Sequence, residues 1–335
     1  MRPQATLFEL SGEHPSLPRA EVISCLEAET GRSELLAEGP GFVACSLDDE
    51  ERGNIVRRLA LVHRYGRYLG SVDREHLKPF VDGLPLPKGS VSVRVKRHQG
   101  TSTPEQARDL TKQIGAALSK GRNVDLDSAE VPVRVLLSDR LHFFIEDGHI
   151  DRDQYETRHV RSRPFFSPIS LHPRYARALV NLTQVREGQT MLDPFCGTGG
   201  ILIEATLMGA KVLGSDLSAE MIDGCAQNMR HFAARWERLE IVDVGDVLST
   251  FGKVDAVATD PPYGRSASTM KEPVLELHRR ALVSIADILR PGGRGGIVLP
   301  WSCQDAAGLR LEQKHAQRVH RSLTRHYCLF RSPLR

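Results

Sequence analysis

From residue 190 onward, short apolar segments of strand length alternate with longer segments of helical length. This alternation is typical of a parallel, doubly wound sheet, so the second half of the chain is predicted to be a Rossmann-like α/β domain. The strands are expected at 190–192, 211–214, 239–242, 254–258 and 295–299. Two last segments, 318–323 and 326–330, are expected to close the sheet as an antiparallel hairpin.

The first 150 residues follow a different pattern, and 335 residues are more than one hydrophobic core usually holds. Segments at 6–10, 17–29, 42–47 and 49–62 have the β-α-β-β-α-β rhythm of a small ferredoxin-like α+β sandwich. The turn-rich stretch 82–89 precedes a second unit, and the charged, aperiodic stretch 151–163 suits a linker. We therefore predict three domains, at 1–75, 76–155 and 156–335.

The second unit carries clear local signals. Three valines alternate with polar residues over 91–95, which predicts a strand with one apolar face. Thr103 is placed to cap a helix, and Gln106 stands three residues later, as a capping box requires. The segments 131–137 and 141–145 are expected to form a β-hairpin.

Positive charge is concentrated in this second unit, although the whole chain carries a formal net charge of only +3. Residues 88–122 contain eight lysines and arginines against two acidic residues, which leaves the rest of the chain net negative. Such a basic block indicates a polyanion site, while by charge alone a solvated surface would look the same. The candidate contact residues are Arg94, Lys96, Arg97, His98 and Lys112.

The cysteines and the hydropathy indicate an ordinary cytoplasmic protein. The six cysteines are scattered, with no C-x-x-C pair and no metal-ligand spacing, so buried reduced thiols and no metal site are expected. No apolar run approaches the roughly 18 residues that span a bilayer, and the N-terminus lacks the core of a signal peptide.

A glycine-rich turn follows the first strand of the α/β domain. It reads Asp193-Pro194-Phe195-Cys196-Gly197-Thr198-Gly199-Gly200 and opens an apolar helix. Glycines allow the backbone to approach a ligand closely, and a turn at the carboxyl edge of such a sheet is typical of a nucleotide site. It is not the dinucleotide fingerprint, because Leu202 stands where the third glycine belongs.

Two acidic residues follow the next two strands. Asp216 is placed to accept hydrogen bonds from both hydroxyls of a ribose. The alternative role, a helix cap, suits Ser218 better. Asp246 could accept from an adenine amino group while Val247 contacts the ring, although an acidic loop residue alone does not decide this.

The fourth strand leads into Asp260-Pro261-Pro262-Tyr263. Two consecutive prolines remove two backbone donors and hold the chain extended, so that carbonyl and carboxylate acceptors face outward beside an aromatic ring. This arrangement suits a planar amino group on a base, with Tyr263 stacking on the base while Asp260 and the Pro261 carbonyl hold the amine. A catalytic role in methylating such an amine is therefore predicted.

These motifs, in this order, resemble the Rossmann-like S-adenosylmethionine-dependent amino-methyltransferases. More narrowly, Arg163–Pro168, Met191–Ala205 and Asp260–Ser266 resemble the archaeal tRNA guanosine-10 N2-methyltransferases. In that family a ferredoxin-like domain and a THUMP RNA-binding domain precede the catalytic domain. The segment Ser90–Ser119 is similar to the THUMP core.

The resemblance implies S-adenosylmethionine as cofactor and assigns the residues of the site. The implied cofactor residues are Phe165, Phe166, Asp193, Gly197, Thr198, Gly199, Asp216, Leu217, Asp246 and Val247. The implied catalytic residues are Asp260 to Tyr263. Residues 167–170 depart from the family motif, because no glycine follows the second proline.

The resemblance further implies a monomer that methylates N2 of a tRNA guanosine, at position 10, once or twice. Whether a small activating subunit takes part stays open. The alternatives are another tRNA or ribosomal guanosine, an adenine or cytosine of DNA, a protein glutamine, and a non-catalytic RNA-binding subunit. The D-P-P-Y motif and the glycine-rich turn argue against another RNA guanosine, and the THUMP-like front region argues against DNA. The motif and the basic block argue against a protein glutamine, and the presence of Asp193, Asp216 and Asp260 argues against a non-catalytic subunit.

Overall fold

The computed structural model describes residues 3–98, 103–167, 170–264 and 272–334. It has two compact units. The first unit comprises Met1–Glu13, Ser33–Val56 and Val62–Ile150, and the second comprises His14–Arg32, Arg57–Leu61 and Asp151–Arg335.

Strands and helices follow each other along the whole described chain. The strands are β1 (Gln4–Leu10), β2 (Ala37–Gly39), β3 (Phe42–Leu47), β4 (Val62–Val72), β5 (Val91–Arg97), β6 (Val131–Leu137), β7 (Leu141–His149), β8 (Thr190–Asp193), β9 (Lys211–Asp216), β10 (Arg238–Ile241), β11 (Val254–Thr259), β12 (Leu289–Leu299), β13 (Arg310–His320) and β14 (Leu323–Arg331). The helices are α1 (Leu17–Thr30), α2 (Asp49–Arg58), α3 (Leu77–Asp82), α4 (Pro104–Leu118), α5 (Asp153–Thr157), α6 (Pro173–Leu182), α7 (Gly200–Thr206), α8 (Ala219–His231), α9 (Val247–Phe251) and α10 (Val274–Ile288).

The first unit is built on a seven-stranded sheet in the order β2-β3-β1-β4-β7-β6-β5. Among the described strands of this sheet, β5 and β6 pair in parallel and the other neighbours are antiparallel. The sheet runs without a break through both predicted front domains, so it does not mark their boundary. The predicted capping box of α4 is confirmed: Thr103 accepts from the Gln106 amide, and the Gln106 side chain accepts from the Thr103 amide. The hairpin of β6 and β7 is confirmed as well.

The second unit is built on the predicted α/β sheet, in the order β10-β9-β8-β11-β12-β14-β13. The strands from β10 to β12 pair in parallel, and β14 and β13 close the sheet as an antiparallel hairpin. Neighbouring residues of one strand enter different hydrophobic clusters: Met191 and Ala256 belong to one, and Leu192 and Val257 to the other. Both faces are therefore buried, as a parallel sheet requires.

Two segment predictions are wrong in detail. The helix expected at 49–62 ends at Arg58, and β4 begins at Val62. The strand expected at 318–323 straddles a turn, because β13 occupies Arg310–His320 at the sheet edge. Most residues of β4 are only partly buried and most residues of β13 are exposed, so neither strand shows the apolar alternation that marks a half-buried strand.

The stretch 151–163 is not a linker. It contains α5 and a 3₁₀ turn, and Tyr155, Arg158 and Arg163 are buried there. Arg158 donates to both carboxylate oxygens of the buried Glu204, at 2.7 and 3.2 Å. These charged residues face inward because their partners are inside the second unit, which a charge pattern cannot indicate.

One pair of cysteines contradicts the expectation of reduced thiols. Cys303 and Cys328 form a disulfide, with their Cα atoms 6.5 Å apart. The pair is 25 residues apart in the chain, and only the pairing of β12 with β14 brings it together. The remaining cysteines are buried. Within the described residues, no helix is both long and apolar enough to cross a bilayer, and no cluster of histidine, cysteine and acidic side chains suits a metal ion.

Candidate active site

The predicted motifs meet at the carboxyl edge of the second sheet. Strands β9, β8 and β11 are parallel neighbours, so the turns that follow them emerge side by side. They surround a cavity of about 620 Å³. The cavity is lined by Ser167, Pro194, Phe195, Gly197, Thr198, Asp216, Leu217, Ser218, Glu220, Met221, Val242, Asp243, Val244, Asp260, Pro261, Pro262, Tyr263, Glu272, Leu277 and Arg280.

The glycine-rich turn adopts the backbone that its glycines permit. Gly197 and Gly199 have φ angles of 47° and 81°, in the left-handed region. A Cβ at Gly199 would come within 2.7 Å of the Cys225 sulfur, so this position also needs glycine for space. Gly197 and Thr198 line the cavity, whereas Gly199 lies behind it.

Asp216 is held in place by the backbone. One carboxylate oxygen accepts from the Gly197 amide at 3.1 Å, and the other accepts from the Ser218 amide at 3.0 Å. Burial raises its pKa above the ordinary value, while these hydrogen bonds oppose the shift. A carboxylate has further acceptor positions, so Asp216 can still accept from a ligand in the cavity. The α8 cap is Ser218, as expected, because its hydroxyl accepts from the Met221 amide.

Asp193 lies beneath the cavity and does not line it. It is 1% exposed, and it accepts from the Thr259 hydroxyl at 2.6 Å and from the Phe195 amide at 3.1 Å. Burial raises the pKa of Asp193 to about 7. These contacts join the end of β8 to the end of β11, so Asp193 shapes the turn from below.

The loop after β10 lines the cavity with residues other than the expected ones. Asp243 and Val244 are on the cavity wall, while Asp246 is exposed and Val247 is buried. Asp243 forms an ion pair with Arg280, which also bonds Glu272 at 2.9 Å. The assignment of Asp246 and Val247 to the adenine stays a prediction. Of the two acidic residues, Asp243 lines the cavity and Asp246 does not.

The aromatic pair before the turn is also outside the cavity lining. Phe165 is half-buried and Phe166 is 53% exposed, whereas Ser167 lines the cavity. Pro168 and Ile169, where the family motif lacks its glycine, lie outside the described residues.

The four residues of the D-P-P-Y motif also line the cavity. The Tyr263 hydroxyl donates to the Asp260 carboxylate. Burial raises the pKa of Asp260 to about 6, although the nearby Arg325 guanidinium and the Tyr263 hydroxyl lower it. Burial also raises the pKa of Tyr263. The side chain of Asp260 is therefore a carboxylate at neutral pH. Arg265 and Ser266, the last residues of the motif, lie outside the described residues.

Two residues that sequence patterns did not single out support this motif. His278, on α10, is buried, and its Nε2 lies 3.0 Å from the Pro262 carbonyl, to which it can only donate. Burial lowers the pKa of His278, and its ring packs on Trp301 with 4.7 Å between ring centroids. Although burial alone would lower the pKa of Arg325, the neighbouring Asp260 and Tyr263 raise it.

Comparison with known proteins places this chain among methyltransferases. Residues 160–327 match the model of the RMKL-like methyltransferase domain. A tRNA (guanine(10)-N2)-dimethyltransferase from Methanothermobacter thermautotrophicus is 35% identical over 94% of this chain and 96% of its own length. The enzyme of the same name from Pyrococcus abyssi is 35% identical over 95% of this chain and 97% of its own.

The chain belongs to the archaeal tRNA (guanine(10)-N2)-dimethyltransferase family.

The fold agrees with this membership. The crystal structure of TrmN from Thermus thermophilus superposes with a TM-score of 0.57, covering 98% of this chain and 99% of that one, at 22% sequence identity. The likeness in fold therefore extends over nearly the whole of both chains.

S-adenosylmethionine is the cofactor expected for this methyltransferase family, and the cavity suits it. A volume of about 620 Å³ lies within the range of small-molecule sites. Asp216 offers a fixed carboxylate for ribose hydroxyls, and Leu217, Met221 and Val244 offer apolar contact for a base. These residues would hold the nucleoside part, with the D-P-P-Y motif facing the methyl group.

The expected RNA-contacting residues belong to the first unit and are partly engaged there. Arg94 donates to the Leu126 carbonyl at 3.0 Å, and Lys96 forms an ion pair with the buried Glu9 at 2.6 Å. Arg97 and His98 are exposed at the end of β5 and beyond it, and Lys112 is exposed on α4. Lys112 is thus more available to a polyanion than Arg94 and Lys96.

Proposed function

We propose that this chain transfers methyl groups to the exocyclic N2 amine of a guanosine in tRNA, and that the target is position 10. The observation that carries this proposal is the D-P-P-Y motif on the wall of the cofactor cavity, in a chain that matches its relatives along nearly their whole length. Those relatives are named as dimethyltransferases, so the proposal includes the addition of two methyl groups in succession.

The residues of the motif supply what the amine needs. The lone pair of the guanine amine is delocalised into the ring, and it becomes nucleophilic when acceptors hold the N–H bonds. Asp260 and Pro261 both line the cavity, and the Asp260 carboxylate and the Pro261 carbonyl are the acceptors proposed for the amine. Bound S-adenosylmethionine supplies an electrophilic methyl group. An amine that gains a methyl group would lose one proton, and the Asp260 carboxylate on the cavity wall is placed to accept it.

Positioning accounts for much of the expected rate. Holding two reactants in line can contribute roughly 7–11 kcal/mol to lowering a barrier. His278 contributes to this positioning, because its bond to the Pro262 carbonyl fixes the path of the motif. Tyr263 is available to stack on the base once its hydroxyl leaves Asp260. A guanine that is paired in the RNA would have to be flipped out to reach this wall.

The front region is proposed to bind RNA. We assign residues 1–75 to a ferredoxin-like domain, 76–155 to a THUMP domain and 156–335 to the catalytic domain. The basic block between residues 88 and 122 supports this role by its charge. We further propose a cytoplasmic monomer, with tRNA as its partner.

One pair of experiments tests the substrate class. Filter binding compares tRNA with duplex DNA of the same length, and a labelled-methyl assay measures transfer to each. Binding and transfer to tRNA alone are expected. Transfer to DNA with no transfer to tRNA would overturn the proposal in favour of a DNA amino-methyltransferase.

A further inference from the structure

Residues 163–166, just before the cavity, form no helix or strand, yet their backbone is fixed by one side chain of α8. Asn228 is fully buried. Its Oδ1 accepts from the Phe165 amide at 2.9 Å, and its Nδ2 donates to the Phe165 carbonyl at 3.0 Å. The side chain thus pairs with Phe165 as a neighbouring strand would, and it holds the segment at one residue.

The same side chain also reaches the glycine-rich turn. Its Nδ2 donates to the carbonyl of Thr198 at 3.0 Å, and Thr198 lines the cofactor cavity. From the other side, Arg163 donates to the Thr198 hydroxyl at 3.0 Å and to the Arg158 carbonyl at 3.1 Å. Thr198 is therefore held at both its carbonyl and its hydroxyl by residues outside the turn.

The helix surface is shaped to receive Phe165. Gly224 lies four residues before Asn228, on the same face of α8. A Cβ at Gly224 would lie 2.1 Å from a ring carbon of Phe165, so the ring occupies the space of the missing side chain. A backbone pairing and a ring contact, one turn apart on the same helix, thus fix the same residue.

We propose that Asn228 is a positioning residue for cofactor binding: it locks the segment 163–166 to the glycine-rich turn, so that Ser167 and Thr198 form one preformed wall of the cavity. The role requires an amide, because one group must donate to two carbonyls while its oxygen accepts from an N–H. When the wall is already ordered, less conformational entropy is lost as the cofactor binds, so the affinity is higher.

Asn228→Asp tests the proposal with almost no change in shape. The substitution removes both donations and places a carboxylate oxygen against the carbonyls of Phe165 and Thr198. We expect the dissociation constant for S-adenosylmethionine, measured by calorimetry without RNA, to rise roughly 5- to 100-fold, as for buried groups left unpaired. At saturating cofactor, kcat for methyl transfer should stay within about twofold of the original enzyme.

Two further variants make the result decisive. Gly224→Ala disturbs Phe165 from the helix side without touching Asn228 or the turn, and it should weaken cofactor binding in the same direction. Gln227→Glu is the matched control, because this exposed neighbour on α8 introduces the same charge and should leave affinity unchanged.

A melting curve of each variant separates positioning from a structural role. A lower melting temperature with an unchanged dissociation constant, in both Asn228→Asp and Gly224→Ala, would overturn the proposal. If Asn228→Asp fails to fold, Gly224→Ala decides alone. Because cofactor binding is measured without RNA, the outcome is independent of which nucleotide the enzyme methylates.

Discussion

The carboxyl edge of the second sheet and strand β5 of the first unit both carry charged residues that the sequence marks as functional. At the sheet edge, Asp216 and Asp260 reach a common cavity, and their partners orient them toward it. On β5, Arg94 and Lys96 are engaged by Leu126 and Glu9 of their own unit. A motif tied to a turn after a strand thus specifies a site, whereas a basic block specifies only charge.

The largest expected effect is at Asp260. Asp260→Ala removes the carboxylate that holds the amine and accepts its proton, so methyl transfer should fall roughly 10²–10⁴-fold, the range for acid–base groups. Cofactor affinity, measured by calorimetry, should change little. Asp260→Asn keeps an oxygen that can hold the amine but cannot accept its proton. Its residual activity therefore measures the contribution of holding the amine alone. Equal loss of transfer and of cofactor affinity would show that the loop only supports the cavity.

Asp216→Ala should weaken the binding of the cofactor and should not affect how the target amine is held. Losing this acceptor should weaken S-adenosylmethionine binding by roughly 1–3 kcal/mol, the cost of leaving polar groups unpaired. Calorimetry on the folded variant measures it, and Glu220→Gln, at another cavity-lining acidic residue, is the control. Unchanged affinity in Asp216→Ala would remove this residue from the ribose site.

The pH dependence of methyl transfer should follow Asp260. Burial raises its pKa to about 6, and only the ionised form can take up the proton of the amine, so kcat should fall as the pH drops through about 6. Arg325 lowers this pKa, so Arg325→Gln should move the acidic limb to higher pH. An acidic limb that stays in place in Arg325→Gln would show that another group controls it.

The smallest effects are expected in the basic block, where Lys112 is exposed and Lys96 is paired with the buried Glu9. Lys112→Ala should lower the slope of log affinity for tRNA against log salt by about 0.7–0.9, the value for one phosphate contact. Lys96→Ala should instead reduce the free energy of unfolding by about 1 kcal/mol, because it leaves the buried Glu9 without this partner. A salt slope altered by Lys96→Ala and not by Lys112→Ala would reverse the assignment.

Much of the fold and part of the site could be predicted because their signals are local. The strands β8 to β12, the turn around Gly197 and the capping box at Thr103 are each specified by neighbouring residues. Hydrophobic periodicity also marked the closing hairpin, although the mostly exposed edge strand β13 was misplaced.

The remaining features depend on tertiary contacts. Asn228, His278 and Arg325 come from α8, α10 and β14, and nothing in their local sequence indicates that they meet the glycine-rich turn or the D-P-P-Y motif. The partners of Arg158 and Lys96, and the pairing of Cys303 with Cys328, are likewise set by the fold. Sequence patterns therefore predict which residues face a ligand better than which residues hold them.

The central claim is that the site at Asp260 methylates N2 of guanosine 10 in tRNA. Mass spectrometry of nucleosides, from a tRNA transcript incubated with the enzyme and S-adenosylmethionine, tests it most directly. We predict N2-methylguanosine followed by N2,N2-dimethylguanosine, far less of both with Asp260→Ala, and neither with a transcript that carries adenosine at position 10. Methylation of another nucleoside, or undiminished N2-methylguanosine in the transcript that lacks guanosine 10, would contradict this account.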